Sequence, residues 1–157
     1  MNRLVAMLAS LLMILFSTSS IASARDYSKW LERCSPYREE VEQILQQLGV
    51  NKDYYYLMVA ESKCTPKATS NKGAKGFWQL MPATSRSYGC HDPYDLECAT
   101  MAAGKYIKDL SSRFSRFEDV IKAYNMGGRN YVRRGATMEA RSLAKRVIEI
   151  KKSDAKH

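Results

Sequence analysis

Tyr54, Leu57, Met58 and Glu61 recur at i, i+3, i+4 and i+7, the spacing of one helix face. Three apolar side chains followed by a carboxylate on one face constrain the fold strongly. The face must pack on a core, and Glu61 leaves bulk water with its neighbours. A desolvated carboxylate resists ionisation, so its pKa rises toward the value a general acid needs near neutral pH. The plain alternative is a helix-terminal Glu that turns out to solvent.

The same period recurs along most of the chain. Ser35-Pro36 reads as an N-cap with Pro at the first helical position, followed by a face of Val41, Ile44, Leu45 and Leu48 that Gly49 ends. Asp53 is the expected cap of the helix that delivers Glu61. Asp95 caps a helix striped by Leu96, Ala99, Ala103, Tyr106 and Leu110, after a turn at Asp92-Pro93. Ser115-Arg116-Phe117-Glu118 reads as a capping box opening a helix with Val120, Ile121 and Tyr124, which Gly127-Gly128 stops. A last helix runs from about Thr137 to Lys151 with Leu143, Val147 and Ile150 inward. No alternating apolar run long enough for a central strand is present, so the fold class is all-α.

From Cys64 to Gly76 the helical period vanishes. Pro66, Ser70, Asn71, Gly73 and Gly76 mark a long ordered loop, unusual in a compact domain unless it serves a site. Gly73 and Gly76 fit a turn needing positive φ or a close approach of substrate. Phe77 and Trp78 offer flat apolar faces, suited either to stacking on a sugar or to the core.

The front of the chain indicates the compartment. Asn2-Arg3 is a short charged start, Leu4 to Phe16 is apolar apart from Ser10, and Ala22-Ser23-Ala24 is an Ala-x-Ala cleavage site. Residues 1–24 therefore read as a secretory signal peptide, leaving 25–157 as one mature domain. The apolar stretch falls short of the ~20 residues that span a bilayer, so no membrane span is expected after signal removal. The protein should be exported, to the periplasm or the cell wall. Cys34, Cys64, Cys90 and Cys98 all lie in the mature part, an even count that reads as a disulfide framework. Of the three pairings, Cys34–Cys64 with Cys90–Cys98 is the expected one. No Cys-x-x-Cys pair exists, so no metal is expected, and no cofactor. The net charge of +9 loses only Arg3 with the signal. A basic surface suits anionic partners, whether nucleic acid, acidic lipid headgroups or the peptide carboxylates of a bacterial wall, and export argues against nucleic acid. Lys151, Lys152 and Lys156 read as a frayed, solvated tail.

Glu61-Ser62, Pro66-Lys67-Ala68, Ser70, Gly73-Ala74-Lys75-Gly76, Gln79-Leu80-Met81-Pro82 and Ala123-Tyr124-Asn125 follow one another in order. With these elements the chain resembles the soluble-type lytic transglycosylases over residues 57 to 135. Trp78 before Gln79 and the Tyr88-Gly89 pair are most similar to the branch that carries Trp at that step. The resemblance implies a lysozyme-like single-domain helical fold and a peptidoglycan lytic transglycosylase acting on glycan strands. Glu61 is then the catalytic acid, and Ser62, Ser70, Gln79, Met81, Tyr124 and Asn125 bind substrate. Gln79 would bond the hydroxyl and N-acetyl groups, Met81 would lie beside the sugar, and Ser70 would bond the acetamido region. The Tyr124 hydroxyl would bond the carboxyl or the sugar; Asn125 has the alternative of a helix C-cap.

From Ser62 through His91 there is no Asp or Glu, and the later Asp92, Asp95 and Glu97 belong to no motif that aims them at Glu61. A single carboxyl fits the family reaction, in which Glu61 protonates the glycosidic oxygen after muramic acid and the 2-acetamido group stabilises the cationic carbon. The ionised Glu then takes the proton of the sugar's C6 hydroxyl, closing a 1,6-anhydro ring. Cys64, Met126-Gly127-Gly128 and Leu143-Ala144 depart from the family pattern and alter the cleft's shape rather than its acid. Two other readings are a lysozyme-type muramidase using water, and a non-catalytic peptidoglycan-binding subunit. A monomer is expected, and a wall-spanning assembly is a compatible partner.

Overall fold

A computed structural model describes residues 27–156 of the chain. The expected signal peptide, residues 1–24, lies outside the described residues. Helix α1 covers 27–47 and a 3-10 turn covers Lys52–Tyr54. Then follow α2 (Tyr55–Ser62), α3 (Pro82–Ser87), α4 (Leu96–Ser111), α5 (Phe117–Met126), α6 (Gly128–Arg134) and α7 (Met138–Asp154). Among the described residues the only extended pairing is two isolated bridges, Thr69 with Lys75 and Lys75 with Leu80. The all-α expectation therefore holds.

Helix α2 is the centre of the molecule. Tyr55 through Ala60 and Ser62 are all buried, and only Glu61 is partly open. A helix apolar all round is a core helix, so the single face read from sequence understates its burial. Helix α7 packs on both α2 and α5. Leu143, Val147 and Ile150 point inward from α7 as expected.

Several helix limits differ from the sequence reading. Ser35-Pro36 lies inside α1 and caps nothing. Pro36 has no N–H for the carbonyl of Glu32, and the Ser35 hydroxyl donates to that oxygen instead, at 2.9 Å. Asp53 is not a cap either. Asn51 accepts from the Asp53 N–H, and the 3-10 turn leads into α2. The capping box at Ser115 does not form: Arg116 precedes α5 and makes no side-chain cap bond. Asp95 and Thr137 do cap α4 and α7, accepting from the N–H of Cys98 and Ala140.

The end of α7 is not frayed. Asp154 accepts from Arg38 at 2.8 Å and from the Tyr56 hydroxyl at 2.6 Å, and Lys151 pairs with Asp53. Charge-assisted bonds of this kind hold the helix terminus against α1 and α2.

Both expected disulfides are present. Cys34–Cys64 joins α1 to the residue just beyond α2, and Cys90–Cys98 joins the turn after α3 to α4. Lys63 and Cys64 both take left-handed backbone (φ 52° and 53°), which ends α2 two residues after Glu61. The Cys34 bridge pins this unfavourable turn, so the end of α2 is fixed from outside the helix.

The loop expected over 64–76 runs from 63 to 81, folded onto itself by backbone bonds Ser70 N–H to Ala74 O and Gly76 N–H to Ala68 O. Gly76 (φ 72°) answers a close approach by protein rather than by substrate. A Cβ there would sit 1.8 Å from the Pro93 carbonyl oxygen. Gly73 (φ 86°) has open space around it, so its need is conformational alone.

Candidate active site

The loop, α2, α5 and the start of α7 enclose a cleft of about 450 Å³. Glu61 lines it from the last turn of α2. Ser70, Gln79 and Met81 line it from the loop, and Tyr124 and Asn125 from α5. Six of the seven residues singled out in sequence thus meet in one place. Ser62 does not. Its buried hydroxyl donates to the Met58 carbonyl at 3.3 Å and accepts from the Cys64 N–H at 3.1 Å, so it shapes the turn behind the acid.

Burial raises the Glu61 carboxyl to about 7, the Glu139 charge adds to the rise, and Arg146 opposes both. Its place near the carbonyl end of α2 acts in the same direction as burial, since that helix pole disfavours an anion. Among the described residues no group donates a hydrogen bond to the Glu61 carboxyl. An acid so placed holds its proton up to about pH 7 and has it free for a substrate oxygen.

The Tyr124 hydroxyl donates to the backbone carbonyl of Trp78 at 2.9 Å rather than to Glu61. Burial raises its pKa well above the ordinary value, and the nearby Glu61 adds to this. Its proton therefore stays on the oxygen, holding α5 to the loop. Gln79 sits at φ 47° and spends its amide N–H groups on the carbonyls of Gly76 (2.9 Å) and Ala68 (3.2 Å). That leaves the amide oxygen as an acceptor toward substrate. Ser70 accepts from the Ala74 N–H at 3.0 Å, so its hydroxyl proton remains available. Met81 is 44% exposed, an apolar side chain on the rim instead of in the core. Gly127, not Asn125, closes α5.

Phe77 and Trp78 are core residues. Trp78 is fully buried with its indole N–H donating to Thr100 at 2.9 Å, and Phe77 meets the Tyr37 ring edge-on. Neither presents a face to a sugar.

Glu139 and Lys72 are the charged cleft residues that sequence reasoning passed over. They pair across 2.8 Å, linking the loop to the first turn of α7 at the mouth, and both are exposed. The acids named from sequence, Asp92, Asp95 and Glu97, do not line the cleft. Glu139 is 78 positions beyond Glu61, and no local pattern relates them. Its one sequence signal is an acid in the first turn after Thr137, which reads equally well as support for the helix dipole. Among the described residues no three His, Cys, Asp or Glu side chains gather to hold a metal ion, and no helix is long and apolar enough to cross a membrane.

Comparison with known proteins identifies the family. The family model described as "Transglycosylase SLT domain" matches residues 41–147. Membrane-bound lytic murein transglycosylase D of Escherichia coli K12 is 27% identical over 116 residues, covering 69% of this chain and 26% of that protein. A transglycosylase of Enterobacteria phage PRD1 is 34% identical over 76 residues, covering 48% of this chain and 28% of the phage protein. The chain thus spans about a quarter of the length of these curated relatives.

Proposed function

The chain belongs to the transglycosylase SLT domain family, and on that premise we propose that it is an exported peptidoglycan lytic transglycosylase. The observation that carries this reading is Glu61, the one open position on a core helix, with its carboxyl pushed up to about 7 inside the cleft. Glu61 donates its proton to the glycosidic oxygen between N-acetylmuramic acid and N-acetylglucosamine as the C1–O bond breaks. The 2-acetamido oxygen stabilises the cationic C1. The carboxylate left on Glu61 then removes the C6 hydroxyl proton, O6 bonds to C1, and the acid is restored. No water enters the product. A tethered C6 hydroxyl carries a large effective-molarity advantage over free water.

Gln79, Ser70 and Met81 line the region where the sugar's acetamido and ring would lie, with Asn125 opposite on α5. The two disulfides fit an oxidising, extracytoplasmic compartment.

Glu139 favours one alternative, a muramidase in which a second carboxylate activates water. Its pairing with Lys72 at the exposed mouth favours a binding role over that of a base. Mass analysis of digested sacculi separates the readings. Products ending in 1,6-anhydromuramic acid, one water lighter and resistant to borohydride, support the transglycosylase. Reducible ends support the muramidase, and binding without release of either supports a non-catalytic subunit. Glu61→Gln should abolish release in both enzymatic cases.

A further inference from the structure

A second groove of about 330 Å³ runs on from the cleft, sharing Thr84, Tyr106 and Gly127 with it as common walls. Its own charged lining is Asp109, Arg113 and Arg129. The two arms differ in charge. The cleft holds Glu61, Lys72 and Glu139, which sum to zero while Glu61 keeps its proton. The groove carries two guanidinium groups against one carboxylate and is net positive.

The groove is ordered rather than a chance gathering of surface charges. Asp109 accepts from the Tyr88 hydroxyl at 2.9 Å, and the Tyr88 ring stacks obliquely on Tyr106, which stacks in turn on Tyr124. An aromatic row therefore leads from the catalytic arm to Asp109. Arg113 lies across Gly128, where a Cβ would stand 3.0 Å from one guanidinium nitrogen. Among the described residues neither Arg113 nor Arg129 has a carboxylate within 4 Å, so neither fork is in an ion pair and both are exposed, Arg113 lying over the Phe114 ring at 5.7 Å.

Building on the peptidoglycan reading above, we propose that this groove is a subsite for the acidic stem peptide, with Arg113 and Arg129 binding its free carboxylates. The glycan strand is a neutral polymer of amino sugars, and it suits the arm with no net charge. The peptide hanging from the lactyl ether of muramic acid bears the substrate's carboxylates, and a guanidinium fork matches a carboxylate bidentately. Asp109 serves an ammonium group of the same peptide. A carboxylate bound here holds the muramic acid residue, to which the peptide is attached, in the adjoining cleft.

The test uses two substrates and one ligand. Against peptide-bearing sacculi, Arg113→Gln and Arg129→Gln should each raise KM about five- to tenfold with kcat held. On glycan strands stripped of peptide by an amidase, KM should match that of the unaltered protein. Equal changes on both substrates, or none on either, overturn the proposal. Titration of the free stem tripeptide into the protein is independent of turnover. Binding that weakens at least fivefold in each variant and at raised salt supports the subsite. Failure to bind, or binding that ignores both substitutions, overturns it. Circular dichroism confirms that the variants are folded. The titration decides even for a protein that cleaves neither substrate, a result that would sink the catalytic reading instead.

Discussion

The Tyr124 hydroxyl donates to the backbone oxygen of Trp78 at 2.9 Å, and this buried bond fastens the floor of the cleft to its loop wall. Trp78 is itself locked by Thr100 on α4. Gln79 follows it immediately and Met81 comes two residues later, so the bond sets the position of half the cleft rim. Tyr124→Phe keeps the ring but orphans the Trp78 carbonyl. The variant should lose about 1–3 kcal/mol of stability by denaturant titration. Its kcat/KM should fall roughly tenfold as the loop shifts against the acid.

Glu61 is held against its own ionisation, and this has a stability cost. Its folded pKa, about 7, lies above the ordinary carboxylate value of 4.5. The folded state therefore holds the proton more tightly than the unfolded chain, and stability falls as pH rises from about 4.5 to 7. Glu61→Gln removes that dependence. The variant should be inactive, yet more stable than the unaltered protein at pH 7–8 by up to ~2 kcal/mol, with the gain vanishing near pH 4. Melting curves across this range check it; a variant less stable at pH 8 than at pH 4 relative to the parent would refute the burial argument.

Activity should decline on the alkaline side as Glu61 loses its proton near pH 7. The Glu139 charge helps to raise that value. Glu139→Gln should therefore move the alkaline limb of kcat/KM to lower pH while leaving substantial activity at pH 5–6. Loss of all activity at every pH would instead place Glu139 in the chemistry itself.

The two loop glycines should separate by mechanism. Gly76→Ala drives a methyl into the Pro93 carbonyl, which is backbone and has little room to yield. More than about 3 kcal/mol should be lost, and soluble yield is the readout for a variant that does not fold. Gly73→Ala meets no atom within 4 Å and pays only for left-handed backbone, about 1 kcal/mol. Paired denaturant midpoints compare them.

Much of this was legible because helices repeat. The stripes of α4 and α7, the cap Asp95, the start of the last helix near Thr137, and the aperiodic loop all follow from spacing that neighbours in sequence impose on one another. The short helices were not legible in the same way. Six residues of α3 are too few to show a period, though Pro82 at its first position was a usable sign. Gly127 both ends α5 and precedes α6, so a double glycine read as a stop concealed a restart. Ser35-Pro36 imitated a helix start because the remedy for a proline inside a helix, a hydroxyl donating to the orphaned carbonyl, uses the same two residue types.

The site divides along a similar line. Glu61 was legible as a carboxylate on an apolar helix face and the loop as a run of glycines and small residues that must turn, but it was the resemblance to the transglycosylases that set Ser70, Gln79 and Met81 beside Glu61. Ser62 was misplaced, and Trp78 was left open between sugar and core, because direction matters more than neighbourhood. One residue beyond Glu61 on the helix, the side chain points away from the cleft, and one residue before Gln79 it points into the core. Glu139, Lys72 and Arg146 act on the cleft only because α7 packs against α2 and α5, and the loop reaches α7's first turn. Coulombic effects depend on distance through space, and contacts across more than sixty residues of chain arise from packing that no short stretch of sequence encodes. The identity of the acid is a local property of this chain; how strongly it holds its proton is a property of the folded whole.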